Sequence, residues 1–365
     1  MVRGRFAPSP TGRMHLGNVF CALLSWLSAK SQGGEWVLRI EDLDPQRSKK
    51  DYALQLMDDL QWLGLPWDGE PVWQSQRGDI YEEYLLSLTN MGLTYPCYCT
   101  RADIMATQAP HETDGRVVYK GTCRPSVAHH SPLTAHRSPL EATTRLIIPD
   151  CTIPFTDGHY GKHDINLAEH CGDYIIRRKD GAWAYQLAVV VDDALMGVTE
   201  IVRGRDLLLS SPQQIHLRNL LFQSTENRVQ STEYRVQMTD DLLKQKTDSL
   251  NATSLPHQTV PQRQGDERSG GGGLTAHHSP LTVDFFHHPL LCNTEGQRLC
   301  KRDKSMDLGY LRGAGITPQE IIGKLAYLAG LTDTTTPITP SELLPLFSWD
   351  KVPTEDIILD NQLNL

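Results

Sequence analysis

The chain has 365 residues, a length that accommodates two or three domains. Its 39% hydrophobic and 22% charged residues are typical of a globular protein and exclude a disordered chain. No stretch approaches the ~20 uninterrupted apolar residues that a bilayer span needs, so we expect a cytoplasmic protein without a membrane partner. The net charge of −9 excludes nucleic-acid binding by overall attraction, so an RNA partner would need a local basic face.

The amino-terminal part of the chain alternates between strand and helix patterns. Residues 2–7 alternate like a short strand, and 8–12 have the composition of a turn. Apolar residues then recur at helical spacing over 16–30, and 36–40 predict a second strand. Residues 48–63 predict a helix that begins with a capping serine. Strand, helix, strand and helix in this order predict a parallel α/β unit.

The later elements are more scattered. Residues 81–91 have an apolar stripe at helical spacing, which predicts a helix packed on the core. Three segments predict strands: 173–178, 183–191 and 285–291. Residues 317–331 predict a helix with threonine as its cap and proline at its first position. The tail that follows is proline-rich and predicts short helical turns.

Two stretches look like insertions. The sequence of 128–134 recurs letter for letter at 276–282, and 224–230 is nearly repeated at 231–237. The whole of 224–282 is rich in glycine, glutamine, serine and threonine, the composition of a disordered insertion. Its histidine pairs lack cysteine or carboxylate companions at ligand spacing, so we expect them to be solvated rather than metal-bound.

A histidine opens the first predicted helix, directly after the first strand and turn. In a parallel α/β unit, the carboxyl end of the strand and the positive end of the helix meet at one crevice that favours phosphate. The His15 imidazole can donate to a phosphate or ribose oxygen, and Gly17 lets a base pack close to the backbone. These residues alone are weak evidence, because a histidine at a helix start is most often only a cap.

The wider string from Arg5 to Asn18 resembles the HIGH signature region of class I aminoacyl-tRNA synthetases, in particular of the glutamyl branch. Residues 38–44, 185–193 and 199–204 look like further motifs of that branch. Near the carboxyl terminus, Arg298-Leu299-Cys300-Lys301-Arg302 is similar to the family's KMSKS-type loop. The signature often has histidine where Asn18 stands and serine where Cys300 stands, departures that concern nucleotide affinity more than reaction type.

The resemblance implies an ATP site. His15 and Lys301 would be its catalytic residues, with Lys301 stabilising the negative charge that develops at the α-phosphate. Gly17 and Asn18 would complete the ATP contacts, and Mg²⁺ would accompany the nucleotide. Asparagine at position 18 can still hydrogen-bond ribose or phosphate.

The expected amino-acid substrate is L-glutamate. Its side-chain carboxylate needs a cationic partner, for which Arg5 and Arg203 are candidates because arginine binds carboxylates in bidentate fashion. Its ammonium group needs an acceptor, and Glu41 can serve. By resemblance to the family, the glutamate contacts are Arg5, Phe6, Ala7, Pro8, Ser9, Glu41, Tyr185 and Arg203.

Three cysteines make a candidate metal site. Cys97 and Cys99 form a C-x-C pair, a weak signal because paired zinc ligands more often have two or more residues between them. Cys123 adds a third thiolate, and resemblance to zinc-bearing members of the family places Tyr119 as the fourth ligand. We predict one structural Zn²⁺, because the segment has few apolar residues to hold itself together. Three buried cysteines without a metal are the alternative.

These predictions combine into an α/β architecture. Its catalytic core is a Rossmann-like doubly wound parallel sheet, interrupted by a zinc-binding subdomain of the acceptor type and followed by a small helical region. The expected divisions are 1–92 and 173–223 for the two halves of the core, 93–172 for the inserted subdomain, 224–282 for the disordered insertion and 283–365 for the KMSKS-type loop and helical region.

The expected carboxyl-terminal part is short, since only 63 residues follow Arg302. A full glutamyl synthetase carries a large helical anticodon-binding portion there. The plan resembles short bacterial paralogues of this branch. It implies a monomer that activates L-glutamate with ATP without tRNA and transfers it to queuosine in the anticodon loop of tRNA(Asp). Two alternatives remain open: a short synthetase charging the 3′ end of tRNA(Glu), and a catalytically silent paralogue that binds RNA or protein.

Overall fold

The computed structural model describes residues 1–106, 118–119, 121–125, 142–222, 282–299 and 307–359. The repeat at 128–140 and nearly all of the predicted insertion 224–282 lie outside them. The strands are β1 Arg3–Phe6, β2 Glu35–Ile40, β3 Val72–Trp73, β4 Thr94–Cys97, β5 Thr143–Leu146, β6 Thr152–Asp157, β7 Gly161–Asn166, β8 Ile175–Arg177, β9 Glu200–Gly204, β10 Asp284–His288, β11 Leu291–Cys292 and β12 Ile357–Ile358. The helices are α1 Leu16–Ser31, α2 Lys50–Trp62, α3 Gly78–Asn90, α4 Arg101–Ala106, α5 Leu167–His170, α6 Tyr185–Leu195, α7 Ser211–Phe222, α8 Leu308–Gly313, α9 Pro318–Leu328 and α10 Pro340–Leu343.

Seven strands form one sheet, here called the large sheet, in the order β3-β2-β1-β9-β10-β6-β7. Every described pairing in it is parallel except the β6–β7 hairpin. The predicted parallel α/β class is therefore confirmed. Because β1, β2, β9 and β10 run in the same direction, their carboxyl ends meet at one edge of the sheet, the place where ligands bind in such folds.

Helix α1 covers the large sheet and explains the apolar pattern of its sequence. The predicted stripe Val19, Leu23, Trp26 and Leu27 is at most 5% exposed. Burial extends to residues on the other faces of the helix, because α1 is also covered by the carboxyl-terminal region, where the Trp349 indole donates to the Ser28 hydroxyl at 3.1 Å. Each such fully buried large apolar side chain stabilises the fold by roughly 1.5–3 kcal/mol.

Three antiparallel strands, β4, β5 and β8, form a separate sheet, here called the small sheet. The strand predicted over 173–178 is its member β8. The hairpin β6–β7 falls within the predicted subdomain 93–172, yet it extends the large sheet, because β6 pairs with β10. Strands from both sides of the predicted boundary at 172 thus contribute to both sheets.

Two predictions of local structure were wrong. Residues 183–191 are not a strand: Tyr185–Leu195 is the helix α6. Its consecutive valines favour a strand locally, but burial of 187–193 against α3 and α7 overrides that preference. Ser48 does not cap α2 either, because the helix begins at Lys50 and the Ser48 amide donates to the Asp44 carbonyl at 2.8 Å within a preceding turn.

The carboxyl-terminal helix α9 begins where the sequence predicts. Thr317 is its N-cap and Pro318 its first residue, and Thr317 and Glu320 form a reciprocal capping box. The tail adds the short helix α10 and 3₁₀ turns, as predicted. No helix in the described part of the chain is both long and apolar enough to cross a bilayer.

Candidate active site

A cavity of about 490 Å³, here called the central cavity, opens at the carboxyl ends of β1, β2, β9 and β10. All residues predicted to contact ATP or glutamate line it, as far as the structure describes them. They are Arg5, Phe6, Ala7, Pro8, Ser9, His15, Gly17, Asn18, Glu41, Tyr185 and Arg203. Sequence segments far apart in the chain are thus brought to one place by the parallel sheet.

Lys301, predicted as the second catalytic residue, lies outside the described residues, as does Cys300. The nearest described residues on either side are Leu299 and Asp307. Leu299 lines the central cavity, and Asp307 forms an isolated β-bridge with His15. One described end of the segment that carries Lys301 therefore lies in the cavity wall, and the other pairs with a residue of that wall.

His15 is both the cap of α1 and part of the cavity wall. Its Nδ1 accepts a hydrogen bond from the Gly17 amide at 3.1 Å, and its own amide donates to Asn18 Oδ1 at 3.2 Å. A neutral imidazole that accepts through Nδ1 carries its proton on Nε2, which makes that nitrogen a donor. A Cβ at Gly17 would lie 3.0 Å from the His15 ring, so glycine is the residue that leaves room for it.

A buried network of charges joins two predicted site residues, Arg5 and Glu41, to two residues that the sequence did not predict as part of the site, Arg39 and Asp193. Arg39 is fully buried and donates to Asp193 Oδ1 at 2.5 Å and to Glu41 Oε1 at 3.1 Å. Arg5 Nε lies 3.5 Å from the same Asp193 oxygen. Burial raises the pKa of Glu41 above its usual range, even though Arg39 and Arg5 oppose that shift. Burial would also raise the pKa of Asp193, but Arg39 and Arg5 bring it below its usual value.

Arg203, at the end of β9, is a buried cation of a different kind. It is 3% exposed and, among the described residues, has no carboxylate within 4.0 Å of its guanidinium. Its partners are neutral: Nη1 donates to Gln214 at 2.7 Å and Nη2 to Ser211 at 2.8 Å. Burial lowers the pKa of Arg203, and the nearby Arg5 acts in the same direction. A buried guanidinium in this state is suited to an anionic group of a ligand.

The remaining predicted glutamate contacts also line the central cavity. The Glu41 amide donates to the Pro8 carbonyl at 3.0 Å, which ties the end of β2 to the turn that carries Ser9. Tyr185 is the first residue of α6 and is 38% exposed at the cavity wall. The predicted glutamate contacts therefore offer one carboxylate, one phenol and two guanidinium groups to a ligand, and Arg13, Arg298 and Asp206 also line the cavity.

Sequence reasoning missed five polar residues that support this site: Arg39, Asp193, Ser211, Gln214 and His287. One signal was available, because Arg39 interrupts an otherwise apolar strand, and a charge at such a position needs a partner. His287 follows two phenylalanines in β10, but Asp284 and His288 of the same strand are also polar, so the signal there is weaker. Nothing local distinguishes Ser211 and Gln214, which become important only because α7 packs beside β9.

The predicted metal ligands form a compact cluster beside the small sheet. The sulfur atoms of Cys97, Cys99 and Cys123 all lie within 4.8 Å of one another. The Tyr119 hydroxyl lies 3.4 Å from the Cys97 sulfur and 3.6 Å from the Cys99 sulfur, and it accepts from the Cys123 amide at 2.7 Å. The structure thus brings all four predicted ligands together.

The cluster could bind a metal ion. Sulfur atoms of a tetrahedral Zn²⁺ site are about 3.8 Å apart, since each Zn–S bond is about 2.3 Å long. The Cys99 and Cys123 sulfur atoms are 3.4 Å apart, close to that spacing. Without a cation, burial raises the pKa of the Cys99 thiol to about 12. A bound dication would reverse this effect, because it stabilises thiolates directly.

The fold and the central cavity define a class of protein. A parallel sheet with a histidine-capped helix and buried cations at its carboxyl edge is a nucleotide-binding α/β arrangement. Residues 1–259 match the family described as "tRNA synthetases class I (E and Q), catalytic domain". The chain belongs to this family of class I tRNA synthetases.

Three of the proteins to which the chain is similar share one name. The chain is 37% identical to the glutamyl-Q tRNA(Asp) synthetase of Symbiobacterium thermophilum, over 98% of this chain and 95% of the relative. The protein of the same name from Nitratidesulfovibrio vulgaris is 36% identical over the same shares. A third such protein, from Neisseria meningitidis, is 47% identical over 60% of this chain and 72% of its own length.

Solved structures agree on the fold. A glutamate tRNA ligase from Elizabethkingia meningosepticum, crystallised with its amino acid, aligns with a TM-score of 0.68. The alignment covers 99% of this chain and 67% of that chain, at 23% identity. A likeness at this identity shows the fold alone. The predicted synthetase-type α/β fold and the family recognised from the sequence are therefore both confirmed.

Proposed function

We propose that the chain activates L-glutamate with ATP and transfers it to the queuosine nucleoside of tRNA(Asp). Relatives named for that enzyme match the chain over 98% of its length and 95% of theirs. The structural observation that carries the proposal is the buried Arg203, which faces a cavity with Glu41 and Arg5 and has no carboxylate partner among the described residues.

In the first step, the glutamate α-carboxylate attacks the α-phosphorus of ATP. A new P–O bond forms, the bond to the β-phosphate oxygen breaks, and glutamyl adenylate and pyrophosphate result. Arg5 and Arg203 hold the side-chain carboxylate, and Glu41 accepts from the ammonium group. The contribution of these residues is positioning, which can account for several kcal/mol of the barrier in general.

On the nucleotide side, His15 donates to a phosphate or ribose oxygen, and Gly17 and Asn18 shape the start of α1 around it. We assign Lys301 the stabilisation of charge at the α-phosphate. Mg²⁺ arrives with the ATP phosphates, whose charge it neutralises, and needs few protein ligands of its own.

In the second step, a hydroxyl of the queuosine nucleoside attacks the acyl carbon of the adenylate and AMP leaves. The RNA partner is thus tRNA(Asp) carrying queuosine. We also propose a monomer in the cytoplasm, where ATP, glutamate and tRNA occur together. We propose the domain division expected from the sequence apart from its boundary at 172, which strands of both sheets cross.

For the cysteine cluster we propose one structural Zn²⁺ held by Cys97, Cys99, Cys123 and Tyr119. Three thiols supply the soft ligands that zinc prefers. The ion would tie β4 to the segment around Cys123, which has few apolar residues of its own. It lies apart from the central cavity and takes no part in the activation step.

Two assays test the proposed activity. Glutamate-dependent exchange of pyrophosphate into ATP, measured without tRNA, is expected for the wild-type protein. Folded protein without exchange would support a silent paralogue instead. Charging is then measured with tRNA(Asp) from cells with and without queuosine, and with tRNA(Glu). Glutamylation that requires queuosine supports the proposal, whereas charging of tRNA(Glu) would identify a short glutamyl-tRNA synthetase.

A further inference from the structure

Three neighbouring strands of the large sheet carry a chain of buried polar residues that ends at the central cavity. Asp157 ends β6, His287 lies on β10 and Arg203 lies on β9, and His287 and Arg203 are direct partners in the ladder. Their exposures are 1%, 0% and 3%. Only Arg203 was predicted to take part in the site.

The hydrogen bonds in this chain have a defined direction. His287 Nδ1 lies 2.6 Å from Asp157 Oδ2, and the other Asp157 oxygen accepts from the amides of His159 and Tyr160 at 3.0 Å and 2.8 Å. A carboxylate only accepts, so Nδ1 of His287 carries the proton and its Nε2 is an acceptor. Arg203 Nε donates to that Nε2 at 3.1 Å.

The protonation states fit this direction. Burial lowers the pKa of His287 below its ordinary value. Burial alone would raise the pKa of Asp157, but the hydrogen bonds from His287 and from backbone amides bring it below its usual value. A neutral imidazole beside an ionised carboxylate is therefore the stable pairing.

The result is a guanidinium with a fixed plane. His287 holds Nε, Ser211 holds one hydrogen on Nη2, and Gln214 holds one on Nη1. Each terminal nitrogen has a second N–H group, and the Tyr185 phenol, itself a predicted glutamate contact, is a further polar neighbour of the guanidinium. A planar fork held at three points presents those groups in one orientation, which is what bidentate recognition of a carboxylate requires.

We propose that Asp157 and His287 are positioning residues for glutamate: Asp157 sets the tautomer of His287, and His287 sets the orientation of the Arg203 guanidinium. This inference rests on the proposed role of the central cavity as a glutamate site. The alternative is that the pair only stabilises the sheet. Apolar residues of similar size would pack these strands without the cost of burying a carboxylate, an imidazole and a guanidinium, so stability alone is a weak reason for the arrangement.

The first test is Asp157→Asn, which keeps the shape and removes the obligate acceptor. An amide can present its N–H to Nδ1, and the imidazole would then direct an N–H at the Arg203 Nε–H. Loss of a hydrogen bond to a charged group predicts a KM for glutamate about tenfold higher in pyrophosphate exchange. The KM for ATP should stay within about twofold, because the damage is confined to the glutamate side.

Two substitutions of His287 give a matched pair. Glutamine places its side-chain oxygen where Nε2 lies and can still accept from Arg203. Asparagine is one carbon shorter and cannot reach it. We expect His287→Asn to raise the KM for glutamate about tenfold and His287→Gln to raise it less than about threefold. A purely structural role would make both variants lose stability without separating their KM values.

Asp173→Asn serves as the control for disturbing a buried aspartate. Asp173 is 1% exposed and accepts from the Tyr95 hydroxyl, Arg124 and the Ile148 amide. It is therefore as buried as Asp157 and also has several donors, although one of them is the cation Arg124. It lies beside the small sheet, away from the central cavity. Its KM for glutamate should equal the wild-type value even if its melting temperature falls as far as that of Asp157→Asn.

The outcomes separate the two levels of inference. A wild-type protein without glutamate-dependent exchange overturns the proposed function. An active wild type, with Asp157→Asn and both His287 variants at the wild-type KM for glutamate, overturns only the positioning role. If Asp157→Asn does not fold, the comparison of His287→Asn with His287→Gln decides. Equal rises in the KM values for glutamate and ATP also count against the proposal.

Discussion

The central cavity and the cysteine cluster are built in opposite ways. Around the cavity, buried charges are paired between the large sheet and its neighbouring elements: Arg39 of β2 binds Asp193 of α6 and Glu41, which follows β2. In the cluster, three thiols and a phenol crowd one another, and burial holds the Cys99 thiol in its protonated form. The fold itself organises the first site, whereas the proposed cation would stabilise the second. The two regions should therefore respond to different perturbations.

The largest expected effect comes from removing the cation at the centre of the first region. Arg39→Met leaves the Asp193 and Glu41 carboxylates buried with too little compensating charge. Such a loss is expected to lower the free energy of unfolding by about 3–5 kcal/mol. Denaturant unfolding followed by circular dichroism measures it. The control is Arg178→Met, which removes a half-exposed pair with Asp180 and should cost less than about 1 kcal/mol. Equal losses in both variants would refute the central role of Arg39.

Acid should also weaken the first region. Burial lowers the pKa of His288, which lines the central cavity, from 6.5 to about 4. Between these two pH values the unfolded chain binds a proton at His288 and the folded chain does not. The stability that neutral His288 contributes is therefore fully present above pH 6.5 and is lost as the pH falls toward 4. The loss amounts to about 3 kcal/mol for this residue.

Denaturant unfolding between pH 7.5 and 4.5 checks this prediction. His288→Gln cannot take up a proton and serves as the matched variant, with a shallower decline of stability on acidification. A wild-type stability that stays level or rises as the pH falls toward 4.5 would contradict the assignment.

A smaller effect, confined to activity, is expected for Arg203→Gln. The variant keeps a polar side chain but removes the charge that faces the glutamate carboxylate. We expect kcat/KM for glutamate in pyrophosphate exchange to fall about a hundredfold, equivalent to about 2.7 kcal/mol. Bound metal, measured by mass spectrometry, should not change, because the cluster is a separate region. If kcat/KM for glutamate falls by less than about threefold, Arg203 is not a glutamate contact.

The prediction with the smallest effect on the large sheet concerns a substitution in the cysteine cluster. Cys97→Ser removes one soft ligand, so the bound zinc should fall from one equivalent to almost none. The main thermal transition should shift by less than about 3 °C, since the large sheet does not depend on the ion. Treatment of the wild type with a chelator should reproduce the result. Unchanged metal content in the variant would argue against the proposed ligand set.

Local sequence signals determined the elements that can be built from neighbouring residues. The α1 helix and its apolar stripe, the strands β1 and β2, and the start of α9 at Thr317 follow from spacing, caps and turn residues that lie within a few positions of one another. These signals are local, so the sequence alone could specify those elements. The residues predicted to contact ATP and glutamate also lie in short strings, but their roles come from the resemblance of those strings to motifs of class I synthetases.

Only the tertiary structure decided which distant groups meet. Arg39 and Asp193 are 154 residues apart in the chain, and Asp157 and His287 are 130 apart. The consecutive valines of α6 favour a strand locally, but packing against α3 and α7 stabilises a helix instead. The β6–β7 hairpin belongs to the large sheet because β6 pairs with β10. Pairing and burial are properties of the whole fold, and no local pattern encodes the partner that a buried charge will find.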